Sequence, residues 1–362
     1  MTKTILATGG AGYIGSHVTV ELIRAGYRVI VLDNFENSDP AVIDRIQTLT
    51  GTEIDVVQTD VASTSAVTRA LRHFDVDAVI HLAGKKAVGE SVANPLLYHR
   101  DNLGGMTSLL WAMEAAGVER LVFSSSATVY GMPEKLPIDE TAATGVTSPY
   151  GRTKLICEEI IEDVAAARAG FSAISLRYFN PVGADPSGLI GESPSGIPNN
   201  LFPYVAQTAA GLRPRVQVFG ADYDTRDGSG LRDYIHVADL ARGHVAAVEH
   251  LLGTRTGDRR HLRINLGTGE GHTVLEVISA FSNASGVDVP YEIVARRPGD
   301  VAASVADPAL AQELLGWRAT QTLDRMCRDH WRFQQAEVER SRFGGHRHNG
   351  SVVSLDRKEA RL

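Results

Sequence analysis

Tyr150 and Lys154 are the residues whose types and spacing point most directly to chemistry. They lie four positions apart in the stretch 148–154, so on a helix they share one face about a turn apart. A cation beside a phenol favours the phenolate and lowers the pKa of the tyrosine from its usual value of about 10. Such a phenol can exchange a proton with a substrate hydroxyl near neutral pH. Because this spacing is common on surface helices, the pair has to be weighed with the rest of the chain.

The N-terminal residues form the pattern of a dinucleotide-binding unit. An apolar strand, 4–8, runs into a turn with Gly9, Gly12 and Gly15; a helical pattern follows, and a second strand ends at Asp33. Glycines let the backbone approach a pyrophosphate, which sits at the positive end of the helix. Asp33 is expected to accept from the adenosine ribose. Since no Lys or Arg follows in 34–38, NAD is favoured over NADP.

Strands and helices continue to alternate along the chain. Further apolar strands are predicted at 55–58, 78–84, 120–123 and 172–178. The alternation predicts an α/β fold, a doubly wound parallel sheet of the Rossmann type with helices on both faces. Ligands then bind at the carboxyl ends of the strands, where Gly15, Asp33, Ala83 and Ser126 all fall.

Ser126 completes a triplet that fits hydride transfer. As a hydride leaves a carbon for the cofactor, a partner must take the hydroxyl proton, and Tyr150 is the expected base. Lys154 is expected to lower the pKa of Tyr150 and to hold the nicotinamide ribose. A hydroxyl from Ser126, or from Thr128, would keep the reacting oxygen in line.

Composition and charge exclude several other functions. The 362 residues carry a net charge of −7, with 43% hydrophobic and 22% charged residues, as in globular proteins. From Arg340 onward the charge is +4, which leaves −11 on the body and argues against a nucleic-acid partner. No run approaches the roughly 18 apolar residues of a membrane span, so a cytoplasmic protein without a membrane partner is predicted.

The metal-ligating residue types do not form a cluster in the sequence. Cys157 and Cys327 lie far apart, which favours neither a disulfide framework nor a ligand set. The histidines that would tempt a metal interpretation are on separate predicted elements: His17, His81, His236 and His244. Structural histidines are therefore expected, and no metal.

Three regions are predicted. Residues 1–180 form the NAD-binding Rossmann domain, and segments near 233–267 return to it. Residues 181–339 form mainly a smaller, mixed α/β substrate domain, which opens with a long Gly- and Pro-rich loop. Residues 340–362 are expected to be a disordered basic tail.

Several stretches resemble the extended short-chain dehydrogenase/reductase family, and within it the UDP-glucose 4-epimerases most closely. They span roughly residues 1–331 and comprise 8–17, 32–34, 83–91, 124–131, 148–154, 177–183, 196–201 and 232–236. The run around Lys86, the segment 178–183 and the segment 197–201 are specific to these epimerases rather than to the superfamily.

The resemblance implies a tightly held NAD and a UDP-hexose substrate. Tyr150 would take the proton of the sugar 4-hydroxyl while C4 gives its hydride to NAD, and the 4-keto sugar would rotate and take the hydride back on its other face. Ser126, Tyr150 and Lys154 are the catalytic residues that it implies. The implied NAD contacts are Gly9, Gly12, Tyr13, Ile14, Gly15, Asp33, Asn34, Asn37, Ser38, Asp60, Val61, Leu82, Ala83, Lys86, Ser124, Tyr150, Lys154 and Phe179. The implied substrate contacts are Lys86, Ser126, Tyr150, Asn180, Asn200, Leu201, Phe219, Arg232, Arg297, Asp300 and Ser304. Arginines suit this role because they bind phosphate in a bidentate manner.

Two positions depart from the family pattern. Asp101 stands where a neutral residue is frequent near the nicotinamide, so that contact is not carried over. Ser304 stands where some members have a large tyrosine against the sugar. A small side chain leaves room for an acetamido group, so UDP-N-acetylglucosamine and UDP-N-acetylgalactosamine are further expected substrates.

Three alternative functions share parts of this pattern. A nucleotide-sugar 4,6-dehydratase commonly has an Asp-Glu pair after the Ser/Thr, where this chain has Ala127 and Thr128. A UDP-glucuronate decarboxylase needs no such pair and stays open except for the closer epimerase motifs. A non-enzymatic NAD-binding regulator would be expected to lose Tyr150 or Lys154. A homodimer is implied by the family, with apolar helix faces near 109–113 and 155–161 as a candidate interface.

Overall fold

The fold is described by a computed structural model for residues 2–194, 196–253, 261–297 and 300–343. The strands are β1 (Thr4–Thr8), β2 (Arg28–Asp33), β3 (Asp55–Gln58), β4 (Ala78–His81), β5 (Arg120–Ser126), β6 (Ser172–Tyr178), β7 (Asn180–Val182), β8 (Val216–Phe219), β9 (Leu231–His236), β10 (His261–Leu266), β11 (Gly271–Thr273), β12 (Tyr291–Val294) and β13 (Ala303–Ser304). The helices are α1 (Tyr13–Arg24), α2 (Ala41–Thr50), α3 (Thr64–His73), α4 (Val88–Ala93), α5 (Pro95–Tyr98), α6 (Gly104–Ala116), α7 (Pro149–Ala167), α8 (Leu201–Ala209), α9 (Val237–Gly253), α10 (Val274–Ser285), α11 (Ala309–Leu315) and α12 (Leu323–Phe343). A π-helical turn (His99–Leu103) precedes α6, and a 3-10 turn (Ala127–Tyr130) follows β5.

Seven parallel strands form the large sheet. Their order is β3-β2-β1-β4-β5-β6-β10. The direction of winding reverses between β1 and β4, and in such sheets the crevice at the carboxyl ends of these strands binds the ligand. The predicted doubly wound α/β fold is confirmed.

The apolar strands bury both faces of this sheet. In β1, Ile5 and Ala7 belong to one core cluster with residues of α1 and α9, whereas Leu6 belongs to another with residues of α6 and α7. Successive side chains of a strand point to opposite faces, so a continuous apolar run matches a sheet covered by helices on both sides. The carboxyl ends of the strands therefore provide the edge at which polar ligands can approach.

The second half of the chain builds a smaller core beside this sheet. In this part, β7 pairs with β9, β9 lies between β11 and β13, and β8 pairs with β12. Phe202 of α8, Phe281 of α10 and Met326 of α12 pack in one cluster. Thr273 caps the start of α10: its hydroxyl accepts from the Glu276 amide, and the Glu276 carboxylate accepts from the Thr273 amide.

Two boundaries differ from the sequence interpretation. Residues 233–236, predicted to return to the large domain, lie in β9 of the smaller sheet, because β9 pairs with β7, β11 and β13; β10 does join the large sheet next to β6. Helix α12 continues through Phe343, past the expected start of the tail at 340. The rest of the tail lies outside the described residues. Among the helices described, none has both the length and the apolar character to cross a membrane.

Candidate active site

The start of α7 fixes the positions of Tyr150 and Lys154. The Ser148 hydroxyl accepts from the Gly151 amide at 3.1 Å, which caps the helix, and Pro149 is the first helical residue. Both are helix-start signals. Tyr150 therefore lies in the first turn, and Lys154 follows one turn later on the same side.

Lys154 is a buried cation that is bound to the neighbouring strand. Lys154 is only 6% exposed, and its Nζ donates to the Ser124 carbonyl oxygen of β5 at 2.6 Å. Nζ also lies 4.8 Å from the centre of the Phe123 ring. Burial lowers the pKa of Lys154 to about 8, although the charges of Cys157 and Glu158 act in the opposite direction.

In the protein alone, the pKa of Tyr150 shifts in the direction opposite to the lowering that was expected. Burial raises the pKa of Tyr150 to about 12, and a hydrogen bond with Ser126 only partly offsets this. Nζ of Lys154 lies 5.9 Å from the centre of the Tyr150 ring and makes its short contact with the Ser124 carbonyl instead. Helical spacing placed the two side chains on one face, but desolvation of the phenol is the largest cause of its pKa shift.

Ser126 and Thr128 are joined at the end of β5. The Thr128 amide and hydroxyl both donate to the Ser126 hydroxyl oxygen, at 3.2 Å and 3.0 Å. Since Ser126 also bonds Tyr150, the three hydroxyls form one group at the carboxyl end of the strand. The structure thus brings together the predicted catalytic residues Ser126, Tyr150 and Lys154 with Ser124, a predicted NAD contact.

The glycine turn before α1 is too tight for side chains. Gly9 has a φ of +69°, and a Cβ there would lie 2.7 Å from the Ala83 nitrogen of the loop after β4. A Cβ on Gly15 would lie 2.0 Å from the Gly9 carbonyl oxygen. The backbone therefore forms a side-chain-free cradle at the start of α1, which fits the pyrophosphate of a dinucleotide. Tyr13 and Ile14 open the helix at the same place.

Asp33 has room for one more hydrogen bond. Its carboxylate accepts from the Ala11 amide at 3.0 Å, the Phe35 amide at 2.9 Å and the Ser38 hydroxyl at 3.0 Å. An ionised carboxylate has about four acceptor sites, so one remains for a ribose hydroxyl. The bonds to the turn and to the loop after β2 hold the carboxylate at the end of the strand.

The other predicted NAD contacts lie on neighbouring loops at this edge. The side-chain amide of Asn34 donates to the Asp60 carboxylate at 3.0 Å, which links the loops after β2 and β3. Asn37 lies in the loop after β2, Val61 follows β3, Leu82 and Ala83 follow β4, and Phe179 follows β6. These residues fit NAD as a group, because they follow the carboxyl ends of the strands, the same edge of the sheet at which the glycine cradle lies.

Lys86 and Asn200 meet at a carboxylate that the sequence did not single out. Glu192 accepts through Oε1 from Lys86 Nζ at 2.9 Å and from Asn200 Nδ2 at 2.6 Å. Lys86 Nζ also lies 5.7 Å from the centre of the Tyr13 ring. A predicted NAD contact and a predicted substrate contact are thus joined. Leu201 begins α8 directly after Asn200.

The remaining predicted substrate contacts form two further groups. Arg232 of β9 is in register with Ser304 of β13, and its guanidinium donates to the Leu231 carbonyl at 2.8 Å. The Arg297 guanidinium lies 3.7 Å from the centre of the Phe219 ring.

Asp300 and Asn180 are exposed neighbours of these groups. The Asp300 amide donates to the Arg297 carbonyl at 3.3 Å, and Asn180 starts β7. Within the ranges described, no hydrogen bond or ion pair joins the Arg232 or Arg297 side chain to Tyr150.

A buried ion pair behind Lys154, between Glu158 and Arg177, was also not predicted from the sequence. Glu158, one turn after Lys154, accepts from Arg177 Nε and Nη2 at 3.0 Å and 2.6 Å and from the Ser125 hydroxyl at 2.5 Å. The spacing of Glu158 from Lys154 was a signal available in the sequence. No such signal in the sequence pointed to Glu192, because it lies in an irregular loop that has no regular spacing of apolar residues.

Comparison with known proteins supports the family that the sequence motifs resemble. Residues 5–267 match the model of the NAD dependent epimerase/dehydratase family. A UDP-glucose 4-epimerase of Bacillus subtilis (strain 168) is 52% identical over 92% of this chain and 97% of its own length. The human UDP-glucose 4-epimerase is 53% identical over the same shares.

Solved structures of similar proteins have the same fold. The UDP-glucose-4-epimerase of Stenotrophomonas maltophila, with NAD and formylated UDP-arabinopyranose, has a TM-score of 0.90 at 51% identity and covers 93% of this chain and 99% of its own. That of Bifidobacterium longum, with NAD+ and UDP, has a TM-score of 0.89 at 48% identity with the same coverage. The chain therefore belongs to the NAD dependent epimerase/dehydratase family and, within it, to the UDP-glucose 4-epimerases.

Proposed function

We propose that this chain interconverts UDP-galactose and UDP-glucose through a transient 4-keto sugar, with Tyr150 as the base. The observation that carries this proposal is the group formed by Ser126, Tyr150 and Lys154, at the same edge of the large sheet as the glycine cradle. Bound NAD would supply the hydride acceptor and a positively charged ring. Tyr150 Oη would take the proton of the sugar 4-hydroxyl and later return it, and the Ser126 hydroxyl would hold the reacting oxygen in line.

The elevated pKa of Tyr150 sets a requirement for this role. A phenol with a pKa of about 12 is a weak source of phenolate at neutral pH. Lys154 supplies one cation nearby, but its contact with the Ser124 carbonyl leaves the phenol unpaired with it. A second positive charge at the cofactor side would favour the phenolate. Tyr150 is therefore expected to act as a base in the NAD-bound protein and not in the protein alone.

Several residues suit the binding of the UDP part of the substrate. Arg232 and Arg297 are cations that can form bidentate bonds to phosphate oxygens. The stacking of Arg297 on Phe219 supports this role, because it orients the guanidinium plane. We assign Asn180, Asn200, Leu201, Asp300 and Lys86 to the same ligand through the family resemblance.

N-acetylated sugars are a further proposed substrate class. Ser304 is a small residue beside Arg232 across the β9–β13 pair, which supports space for an acetamido group. Purified protein should convert UDP-N-acetylglucosamine as well as UDP-glucose. If UDP-glucose reacts and the N-acetylated sugar does not, this part of the proposal fails.

The main test is turnover of UDP-galactose without added NAD. UDP-glucose should form with no net NADH, because the hydride returns to the sugar. Tyr150→Phe should lower kcat by about 10²–10⁴-fold, the usual contribution of a general acid/base, and should leave bound NAD unchanged. Tyr291→Phe is the matched control on the exposed strand β12. A stable keto product, carbon dioxide from UDP-glucuronate, or near-normal turnover by Tyr150→Phe would contradict the proposal.

We also propose a homodimer, formed through helices on one side of the large sheet. Val92 of α4, Leu96 of α5 and Trp111 of α6 are 64%, 82% and 63% exposed, and exposed apolar groups of this size favour a protein interface. Sedimentation should give twice the mass of the chain, and Trp111→Glu should shift it towards the monomer. A parent protein that sediments as a monomer at micromolar concentration would contradict this.

A cytoplasmic location is proposed as well. Cys157 and Cys327 are free and buried, as expected where thiols stay reduced. Fractionation of cells that produce the protein should recover it, with UDP-galactose epimerisation, in the cytoplasmic fraction. Recovery in the membrane or secreted fraction would contradict the proposal.

A further inference from the structure

Glu192 lies at a position fixed by packing on both sides. It belongs to the loop between β7 and α8. Two residues earlier, Ile190 is 1% exposed and packs in a cluster with Ala11 of the glycine turn. A Cβ on Gly191 would lie 2.5 Å from the Phe333 ring of α12. The loop is thus held between the large domain and the last helix, so the carboxylate has little freedom to move.

One oxygen of this carboxylate holds two residues of the proposed site. Oε1 accepts from both Lys86 and Asn200, at 2.9 Å and 2.6 Å. The Glu192 side chain is 6% exposed, whereas that of Lys86 is 58% exposed. The other oxygen, Oε2, is buried and has no hydrogen-bond partner among the residues described. Burying a carboxylate with one oxygen unused is unfavourable, so stability alone is a poor reason for this arrangement.

The two partners keep free groups for a ligand. An ammonium has three donors and an amide has two donors and an acceptor, and Glu192 uses one donor of each. A free lysine side chain loses rotamer entropy when it is fixed, and this loss weakens ligand binding if it occurs on binding. The bond to Glu192 fixes Lys86 before the ligand arrives, and it sets the separation between Lys86 and Asn200.

We propose that Glu192 is a positioning residue, which preorganises Lys86 and Asn200 for the nucleotide-sugar and links the cofactor side of the site to the substrate side. This inference rests on the proposed function, because that function makes Lys86 and Asn200 ligand contacts. Glu192 itself touches neither the reacting atoms nor Tyr150. Its loss should therefore raise KM for UDP-galactose and change kcat little.

The position of Tyr13 supports this link. The Tyr13 hydroxyl donates to the Gly183 carbonyl at 2.8 Å, in the segment that leads to the Glu192 loop. Burial, and after it the charge of Glu192, raises the pKa of Tyr13 well above its usual value. The carboxylate is thus close to the start of α1 as well as to Asn200.

The first test separates the charge of the Glu192 side chain from its length. UDP is titrated calorimetrically into the NAD-containing parent and into Glu192→Ala, Glu192→Gln and Glu192→Asp. Glu192→Ala and the shorter Glu192→Asp should each weaken UDP binding about tenfold, the loss of one preorganised hydrogen bond. Glu192→Gln keeps an acceptor of the same length and should stay within about threefold of the parent. The variants should fold, because the Lys86 ammonium that they leave unpaired is mostly in water.

A double-mutant cycle separates positioning from a general structural effect. In an Asn200→Ala background, Glu192→Ala should weaken UDP binding by at most about threefold, since of the two residues that Glu192 positions only Lys86 remains. A full tenfold loss in that background, an unchanged affinity of Glu192→Ala, or tighter binding from removal of a repulsive charge would each overturn the inference. If the parent itself does not bind UDP, the proposed function fails and this inference with it. If the parent binds UDP and epimerises UDP-galactose but the losses are additive, only the inference fails.

Discussion

Replacement of Lys154 should separate the stability of the protein from its activity. Lys154 is 6% exposed, and burial lowers its pKa from 10.5 to about 8. At 1.36 kcal/mol per pH unit, this difference means that the charged form costs the fold about 3 kcal/mol. Below pH 8 the lysine is charged in both the folded and the unfolded chain, and the full cost is present. Between pH 8 and 10.5 the unfolded chain binds more protons, so the free energy of unfolding rises with pH.

Lys154→Met should remove this pH dependence. From pH 7 to pH 9.5 the parent should gain about 2 kcal/mol of unfolding free energy relative to the variant, by integration of the same titration. At pH 7 the variant should be the more stable by about 1–2 kcal/mol, because the loss of the hydrogen bond to the Ser124 carbonyl offsets part of the gain. Cys327, whose pKa burial raises to about 12, lowers stability over the same range in both proteins and cancels in the difference. The charge of Lys154 lowers the pKa of Cys157, but burial dominates and keeps that thiol protonated at pH 9.5 in the folded chain of both proteins.

Urea unfolding at the two pH values, with the same total NAD, measures this difference. Loss of NAD affinity in the variant would shift its unfolding free energy at both pH values. The test therefore rests on how much the unfolding free energy of each protein changes between the two pH values. Lys135→Met, on an exposed loop, is the control and should follow the parent. Parallel pH dependence of the parent and Lys154→Met would refute the reasoning, because it would mean that the buried lysine titrates as it does in the unfolded chain.

Two further substitutions test the cradle and the ion pair. Gly15→Ala should lower the NAD content and the thermal midpoint, because a Cβ there would lie 2.0 Å from a carbonyl oxygen of the turn; Gly104→Ala, whose Cβ would meet nothing within 4 Å, should keep its NAD and change stability by at most about 1 kcal/mol. Equal NAD content in the two would contradict the tight cradle. Glu158→Gln should lower the urea unfolding free energy by about 3–5 kcal/mol, because Arg177, with its side chain 3% exposed, loses its carboxylate. Arg177→Met in that background should recover most of the loss, and a loss unaffected by this second change would argue against an uncompensated charge.

The architecture was predictable because its causes are local and repeated. Runs such as that around Leu6 are apolar on both faces and alternate with helical patterns, which leaves few arrangements other than a parallel sheet. The glycine turn was predictable for the same reason, since Gly9 and Gly15 occupy positions where side chains cannot fit. Boundaries were less predictable, because the pairing of β9 with β7, β11 and β13 is a tertiary choice that its own residues do not reveal.

The electrostatics of the site could not be predicted from spacing. Four residues of separation placed Tyr150 and Lys154 on one face, but did not reveal that the ammonium bonds a carbonyl of β5. Burial then decides both pKa shifts, and burial depends on what packs over the helix. Glu192 was invisible for a related reason: its partners Lys86 and Asn200 are distant in sequence and meet only in the folded chain.

The contrast between two buried cations favours a functional role for Lys154 on physical grounds alone. Arg177 lies against a carboxylate, Glu158, that satisfies it twice. Lys154 is one helical turn from the same Glu158, yet within the described part of the chain no carboxylate lies within 4 Å of its ammonium. A sequence shaped only for stability would pair this cation or replace it with an apolar residue. A buried cation that bonds a backbone carbonyl instead of a carboxylate, next to a tyrosine and a strand end, is what an acid/base site requires. The buried charge of Lys154 therefore both destabilises the fold and serves the reaction. Lys154→Met should relieve the instability and abolish the activity together.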